Sequence, residues 1–430
     1  MPRTLCACFS HNAAMPPPTS AAAPAPTAIT HAHAIRLALA LSLGAAISLG
    51  ITRFAYGLLL PPMRADLGWS YTLAGGMNTA NAAGYLLGAL AAPRLMRGLG
   101  PQRTLMLGAL LASVFMGLSG FFTAAGPLLA QRLLAGVASA WVFIAGGLLA
   151  ARLGTAHPSR AGLLLGLYYG GTGWGIVLSA LLVPATLAWA AGGPHGWAWA
   201  WWALALACGL GTAVLAWPAR VLPQEAVAVP PSAEARAQPA APVFRWRDLG
   251  WALAGYGMFG VGYIGYMTFV VALLREQGAS GTAVTVFYAL LGVAVLASSR
   301  IWAGLLDRHH GGGALARLCA LLALATVLPA LTSVWPVVLV SGLVFGGVFL
   351  SVVASTTALV RHNLPQAAWA AGISAFTIVF AAGQIVGPTV VGWIADGPGG
   401  LARGLVFSAA ALLVGAGLAW RQKPLLLQNR

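Results

Sequence analysis

Residues 336–360 read PVVLVSGLVFGGVFLSVVASTTALV, an apolar run without one charged side chain. A helix that crosses the hydrocarbon core of a bilayer needs about 20 such residues. Comparable runs recur along the chain, and we number them span 1 to span 12. They cover 36–60, 71–92, 104–124, 128–151, 162–188, 197–217, 249–274, 281–305, 314–332, 336–360, 367–393 and 401–420. The sequence therefore predicts an all-α integral membrane protein with twelve transmembrane helices.

The composition supports this interpretation. Apolar residues make up 59% of the 430 residues and charged residues only 7%, whereas soluble proteins carry about 25% charged residues. Lipid must therefore be the solvent for most of the chain. A membrane β-barrel is excluded, because barrel strands are segments of roughly ten residues with alternating polarity. The cysteines, Cys6, Cys8, Cys208 and Cys319, form neither a disulfide framework nor a metal-ligand pattern, so we expect no metal and no cofactor.

The net charge of +16 comes from arginines scattered through short loops. No basic patch is interleaved with stacking aromatic residues, so we expect no nucleic-acid partner. With the N-terminus inside, the outer loops hold only Arg64, Arg275 and Arg403, and the inner segments hold the other basic residues outside the spans. Basic residues mark the cytoplasmic side of a membrane protein. We therefore expect a bacterial inner-membrane protein with both termini in the cytoplasm.

This topology gives a first testable prediction. Reporter fusions near Gln238 are expected to report the cytoplasm, and fusions near Gly192 and Glu276 the outside, because of the asymmetric basic residues. The reverse signal at any of these three positions would contradict the twelve-helix map.

The chain divides into two halves. We expect a disordered cytoplasmic tail at 1–34, with Met15 as an alternative start to Met1, and a six-helix bundle at 35–217. A proline-rich cytoplasmic linker at 218–246 and a second six-helix bundle at 247–420 follow, before a short cytoplasmic tail at 421–430. Sliding the chain on itself by 210 residues aligns Gly50 with Gly260, Tyr56 with Tyr266, and Asp66 with Glu276. This local match favours an internal duplication.

Three motifs resemble those of the major facilitator superfamily. The run 126–136, with Arg132 and a glycine four residues on, is similar to the superfamily's fourth helix. The run 383–388, with Gly392 and Asp396, is similar to its eleventh helix. Asp307-Arg308 resembles its inner gating loop, although Ala303 stands where the family has a glycine. The matching loop at 93–98 lacks the acid. The resemblance implies two pseudo-symmetric six-helix bundles and transport by alternating access.

A narrower resemblance points to the YbfB/YjiJ-type transporters. It rests on the motifs GITRFAY at 50–56, LPPM at 60–63, NAAGYLLG at 81–88 and GTGWG at 171–175. This subfamily implies a fold and an activity class but no substrate.

Three arginines fall within spans: Arg53, Arg132 and Arg300. A charge at the centre of a membrane helix costs about 2.5–3.5 kcal/mol on insertion scales, so such residues are functional candidates. All acidic residues fall in loops or at span ends, which predicts a positively charged cavity and an anionic substrate. Arg53 is the leading binding residue. On an α-helix, Tyr56 at i+3 would share its face. The alternative for Arg53 is snorkelling to the outer interface.

Polar residues at helical spacing predict the rest of the binding site. On span 2, Asn78, Asn81 and Tyr85 share a face. The predicted substrate-binding set is Arg53, Tyr56, Asn78, Asn81, Tyr168, Thr172, Tyr263 and Gln384, and the predicted gating set is Asp307, Arg308, Arg300, Arg132 and Arg94. For each polar residue alone, a hydrogen bond between helices is about as plausible as substrate contact.

These features predict a secondary or facilitated transporter that moves a small organic anion across the inner membrane, acting as a monomer in the lipid bilayer. Efflux of a lipophilic, drug-like compound is the alternative. A membrane enzyme would need clustered carboxylates, a histidine-rich metal site or a nucleophile with its base, and none is visible, so we expect no catalytic residues. A non-transporting sensor would normally carry a soluble signalling domain.

Overall fold

The structure, a computed structural model, describes residues 30–222, 245–365 and 368–425. The predicted N-terminal tail up to residue 29, the linker between 223 and 244, and residues 426–430 lie outside the described residues.

Each predicted span is a long helix in the described chain, so the predicted all-α fold is confirmed. Span 1 consists of an α-helix His31–Ala45, a π-helix Ala46–Phe54 and an α-helix Tyr56–Leu67. Spans 2 to 6 are Tyr71–Leu99, Pro101–Ser119, Ala125–Ala156, Ala161–Trp189 and Trp197–Val221. Spans 7 to 12 are Gly250–Glu276, Gly281–Ile301, Gly313–Leu331, Trp335–Asn363, Trp369–Ala395 and Gly400–Trp420. A short helix, Ala303–Arg308, follows span 8.

By length and composition, 11 helical segments of the described chain are apolar enough to cross a membrane. Span 2 is not among them. Its two asparagines, Asn78 and Asn81, lie mid-helix and lower its mean hydropathy, although span 2 is 29 residues long. Span 2 packs against span 4 and span 11, and both asparagines are buried in these contacts.

Spans 1–6 and spans 7–12 form two six-helix bundles. Within the first bundle, spans 2 and 4 approach closely. A side-chain carbon at Gly84 would overlap the carbonyl of Leu133, and one at Gly136 would overlap the carbonyl of Asn81. Small residues at such crossings let two membrane helices pack backbone to backbone.

The two bundles meet along three helix pairs: spans 2 and 11, spans 1 and 7, and spans 5 and 8. We call the side of the molecule that holds residues 67–71 and 276–281 the outer side, following the predicted topology. The tightest contacts lie there, because Gly75 packs against the carbonyl of Pro388 and Gly392 against the carbonyl of Tyr71. The structure is thus closed on its outer side.

The π-helix Ala46–Phe54 lies in the middle of span 1. A π-helix is wider than an α-helix, because its hydrogen bonds span five residues, and it occurs frequently at functional sites. The Thr52 hydroxyl donates to the carbonyl of Ile47, five residues back, at 2.6 Å. Gly50 approaches the backbone of Gly175 in span 5, where a side chain would not fit. The α-periodicity assumed from the sequence is therefore wrong for this segment.

Candidate functional site

Arg53 lies near the end of the π-helix and is only 3% exposed. Within the described chain, no hydrogen bond or ion pair to its guanidinium is found. Its Cζ lies 5.5 Å from the ring centroid of Tyr85 in span 2, within the range of a cation–π interaction. The next residue, Phe54, packs against Phe349 of the second bundle, with ring centroids 5.8 Å apart. Arg53 is thus a buried cation with aromatic neighbours and no anionic partner among the described residues.

The second bundle presents an aromatic cluster to this region. The ring of Tyr263 stacks on Phe259 at 4.8 Å, on Phe380 at 5.5 Å and on Phe349 at 6.1 Å between centroids. The Tyr263 hydroxyl donates to Oε1 of Gln384 at 2.7 Å. The structure therefore brings the predicted residues Tyr263 and Gln384 together, with the amide nitrogen of Gln384 left to donate.

Arg132 is buried inside the first bundle. Its Nη1 donates to the carbonyl of Thr52 at 2.7 Å and its Nη2 to Oδ1 of Asn78 at 3.1 Å. Its Cζ lies 5.0 Å from the ring of Tyr56 and 5.6 Å from that of Trp201. These contacts join spans 1, 2, 4 and 6, so they favour a packing role for Arg132 over the predicted gating role.

The two asparagines of span 2 serve as ties between helices. The Asn78 amide donates to Oγ1 of Thr268 at 2.8 Å and so connects the two bundles. The Asn81 amide donates to the carbonyl of Arg132 at 3.1 Å. These are the interhelical hydrogen bonds that the sequence left open as an alternative.

Three further predicted residues lie apart from Arg53. The Tyr56 hydroxyl donates to the carbonyl of Ala74 at 2.8 Å, and the Tyr168 hydroxyl to the carbonyl of Phe143 at 2.7 Å. Thr172 is buried, and its hydroxyl has no hydrogen-bond partner among the described residues. The expected shared face of Arg53 and Tyr56 is not observed: Arg53 contacts Tyr85, whereas Tyr56 contacts Arg132.

Four of the five predicted gating residues are exposed in this conformation, and buried Arg132 is the exception. Asp307 and Arg308 lie on the short helix after span 8, Arg300 lies at the end of span 8, and Arg94 lies towards the end of span 2. None of the four takes part in an ion pair within the described residues. In this conformation the outer side is closed, and these four charges do not hold the inner side closed.

Asp307→Asn is expected to slow transport more than it weakens substrate binding, because the side chain would act only when the inner side closes. Initial uptake rates and equilibrium binding in proteoliposomes separate the two effects. Arg94→Ala is the matched control, since its loop lacks the family's acid and a milder loss is expected. A wild-type transport rate for Asp307→Asn, or an equal loss for Arg94→Ala, would contradict this gate.

The outer side carries a polar contact between the bundles that we call the outer clasp. The carboxylate of Asp396, just beyond span 11, accepts from the backbone N–H groups of Tyr71 at 2.7 Å and Thr72 at 2.9 Å. It also accepts from the Thr72 hydroxyl at 2.6 Å. The Tyr71 hydroxyl donates to Glu276, and Arg64 lies over the Tyr71 ring at 3.7 Å. Asp396 thus caps the first turn of span 2 from the opposite bundle.

The environment of Asp396 favours its ionised form. Burial alone would raise the pKa of this carboxyl. The hydrogen bonds from Thr72 and Tyr71, together with the charge of Arg64, outweigh burial and hold the pKa below its ordinary value.

Sequence reasoning missed two parts of this arrangement. Asp396 was noted only within a family motif, because the sequence does not show that the end of span 11 meets the start of span 2. Tyr169 in span 5 is 40% exposed, and its ring packs against those of Phe143 at 5.5 Å and Tyr168 at 5.1 Å between centroids. Its place next to Tyr168 in the sequence was the only available signal.

A family model described as "Uncharacterised MFS-type transporter YbfB" matches residues 45–420. No curated protein matches the chain in sequence. Among solved structures, a bacterial homologue of the human lysosomal transporter Spinster, in an inward-facing and unoccupied conformation, is similar with a TM-score of 0.67 and 16% identity. The match covers 91% of this chain and 97% of that chain.

Two other solved structures are similar in fold. For the nucleoside transporter NupG, the TM-score is 0.64 at 12% identity, covering 91% of this chain and 100% of that chain. For the human organic anion transporter MFSD10 (TETRAN), the TM-score is 0.57 at 15% identity, with 90% and 98% covered. At these identities the likeness extends to the fold alone.

Proposed function

Because the chain belongs to the family of the MFS-type transporter YbfB, and so is a multi-pass membrane transporter, we propose that its solute is a small organic anion. The observation that carries this proposal is Arg53, a buried guanidinium with no anionic partner among the described residues. A charge in such a place is costly, and such charges in membrane proteins pair with each other, with backbone carbonyls or with ligands. An anionic group of the solute would supply the missing partner.

The distribution of charge supports the same solute class. The described acids lie at span ends or in loops, so no carboxylate competes with a solute for Arg53. Arg132 adds a second buried positive charge beside Thr52, the neighbour of Arg53, although two of its donors are used by Thr52 and Asn78. The phenol of Tyr85 and the amide nitrogen of Gln384 are donors that an anion accepts from.

We infer transport by alternating access across the bacterial inner membrane, by a monomer with cytoplasmic termini. In the conformation described, the solute would meet Arg53 from the inner side. Rocking of the two bundles would then break the outer clasp, separate spans 2 and 11, and bring the inner loops together.

Uptake into proteoliposomes tests the proposal. A library of labelled monocarboxylates, dicarboxylates, organic cations and neutral lipophilic compounds is offered with and without a pH gradient. Accumulation of one or more carboxylates, with no accumulation of cations, is expected. Transport confined to neutral lipophilic compounds would instead favour efflux, to which the aromatic cluster around Tyr263 is also suited.

A further inference from the structure

We propose that Tyr288 and Thr52 are positioning residues that hold span 1 in its π-helical form and thereby aim Arg53 at the solute. The proposal rests on the proposed function in taking Arg53 as the anion-binding group. It assigns a role to two residues that do not themselves contact the solute.

The first step concerns the end of the π-helix. The N–H of Leu58 reaches only three residues back, to the carbonyl of Ala55 at 3.0 Å. The carbonyl of Phe54 accepts from the hydroxyl of Tyr288 at 2.7 Å, and both groups are buried. Since a buried carbonyl without a partner is costly, this hydroxyl stabilises the point where the π-helix ends.

The second step concerns the interior of the π-helix. The Thr52 hydroxyl bonds the Ile47 carbonyl within the segment, and Arg132 bonds the carbonyl of Thr52 from span 4. Side-chain donors therefore bond the carbonyls on both sides of Arg53: Arg132 bonds that of Thr52, and Tyr288 bonds that of Phe54. The hydrogen-bond pattern of an ordinary α-helix does not need these donors.

The third step is geometric. In an α-helix each residue turns by about 100°, so moving the register of this segment by one residue would rotate Arg53 by about that angle. Arg53 would then leave the ring of Tyr85. The π-helical register therefore determines whether the guanidinium faces the ring of Tyr85.

The fourth step links the register to transport. Tyr288 belongs to span 8 of the second bundle, whereas Phe54 belongs to span 1 of the first. The hydrogen bond between them crosses the interface that must separate when the outer side opens. Loss of this bond would release the π-helical register, turn Arg53 away and weaken its hold on the anion. Affinity would then be higher with the outer side closed than with it open.

A thiol-labelling experiment tests the register without needing to know the solute. Arg53 is replaced by cysteine in a protein whose four native cysteines are replaced by serine or alanine. The negatively charged reagent 2-sulfonatoethyl methanethiosulfonate is the probe. Tyr288→Phe removes one hydroxyl and is expected to slow labelling about two- to twelvefold. This factor is the change in the population of the π-helical register that corresponds to the net free energy of one hydrogen bond.

Tyr266→Phe is the matched control. Its hydroxyl is also buried and hydrogen-bonded at 2.7 Å, but to Ser341 within the second bundle. Labelling at position 53 is expected to stay at its original rate in this variant. Thr52→Val provides an independent test of the same register. Thr377→Val is its control, because the Thr377 hydroxyl bonds the Ile373 carbonyl within span 11 of the second bundle.

Slower labelling in Tyr288→Phe and Thr52→Val, but not in the controls, supports the proposal. Unchanged labelling in both test variants, or equal slowing in the controls, overturns it. Failure of the proposed function is seen separately. Arg53→Ala introduced into the otherwise unchanged protein would then keep full anion uptake, whatever the labelling shows.

Discussion

Arg53→Ala protein is expected to bind its anionic substrate about 10–150-fold more weakly than the unchanged protein, the loss that accompanies one charge-assisted hydrogen bond of about 1.5–3 kcal/mol. Arg53→Lys is expected to recover only part of the affinity. Guanidinium offers two parallel donors to a carboxylate, whereas an ammonium group acts as a point charge. Because no ion pair holds Arg53 in the described structure, its removal leaves no acid unpaired.

Equilibrium binding of the best-transported carboxylate, measured in proteoliposomes with equal amounts of inserted protein, checks this result. Arg275→Ala is the control, since Arg275 is exposed at the outer end of span 7 and bonds only a nearby carbonyl. Wild-type affinity in a correctly inserted Arg53→Ala protein would place the anion site elsewhere. A lipophilic efflux substrate would then be the better interpretation.

Asp396→Ala is expected to open the outer side. The substitution removes the acceptor of three hydrogen bonds that join span 11 to the start of span 2. Because Asp396 is exposed, water screens its charge, so each bond is expected to contribute the net value of an ordinary hydrogen bond; losing one shifts the closed–open equilibrium by about two- to twelvefold. A cysteine in place of Ala74, which is fully buried beneath the clasp, should become reactive to a membrane-impermeant maleimide added from outside.

Asp66 provides the matched control for the clasp. It is also an acid at the outer side, but it accepts from Trp197 at 2.5 Å and pairs with His195, both within the first bundle. Asp66→Ala should therefore leave Ala74→Cys protected. Equal reactivity in the two variants would mean that the loss of any outer acid loosens the molecule, and the clasp would have no specific role.

The pH dependence of the clasp follows from the lowered pKa of Asp396. A carboxyl whose pKa is lowered in the closed form stabilises that form above its ordinary pKa. This stabilisation is lost as pH falls through the lowered value. Arg64 and Glu276 are the other charged groups beside the clasp. The protection of Ala74→Cys is therefore expected to be constant from about pH 6 to pH 8.

The fold could be predicted from the sequence because apolar length alone identifies membrane helices. Runs such as 336–360 leave few alternatives, and span 2 was found by its length and by its place between spans 1 and 3. The π-helix in span 1 could not be predicted, since it depends on donors from Arg132 and Tyr288, which lie far away in the chain.

Only part of the candidate site could be predicted from the sequence. An arginine within a span marks a candidate binding residue, and this criterion selects Arg53 and Arg132 alike. Both are buried, but Arg132 has hydrogen-bond partners in spans 1 and 2. Tyr168 and Asn81 have the polarity of binding residues, but the structure uses their donors on backbone carbonyls. Distinguishing these uses requires knowing which faces of the helices meet.

The polarity of span 2 has a consequence for biosynthesis. When the ribosome has made span 2, the partners of its asparagines do not yet exist: Arg132 belongs to span 4 and Thr268 to span 7. Polar amides without partners are costly in hydrocarbon. Span 2 is thus poorly suited to leave the translocon by itself, and its release into lipid should wait for span 4. Completion of the second bundle then satisfies the remaining amide, so assembly of the two halves is coupled from the second helix onward.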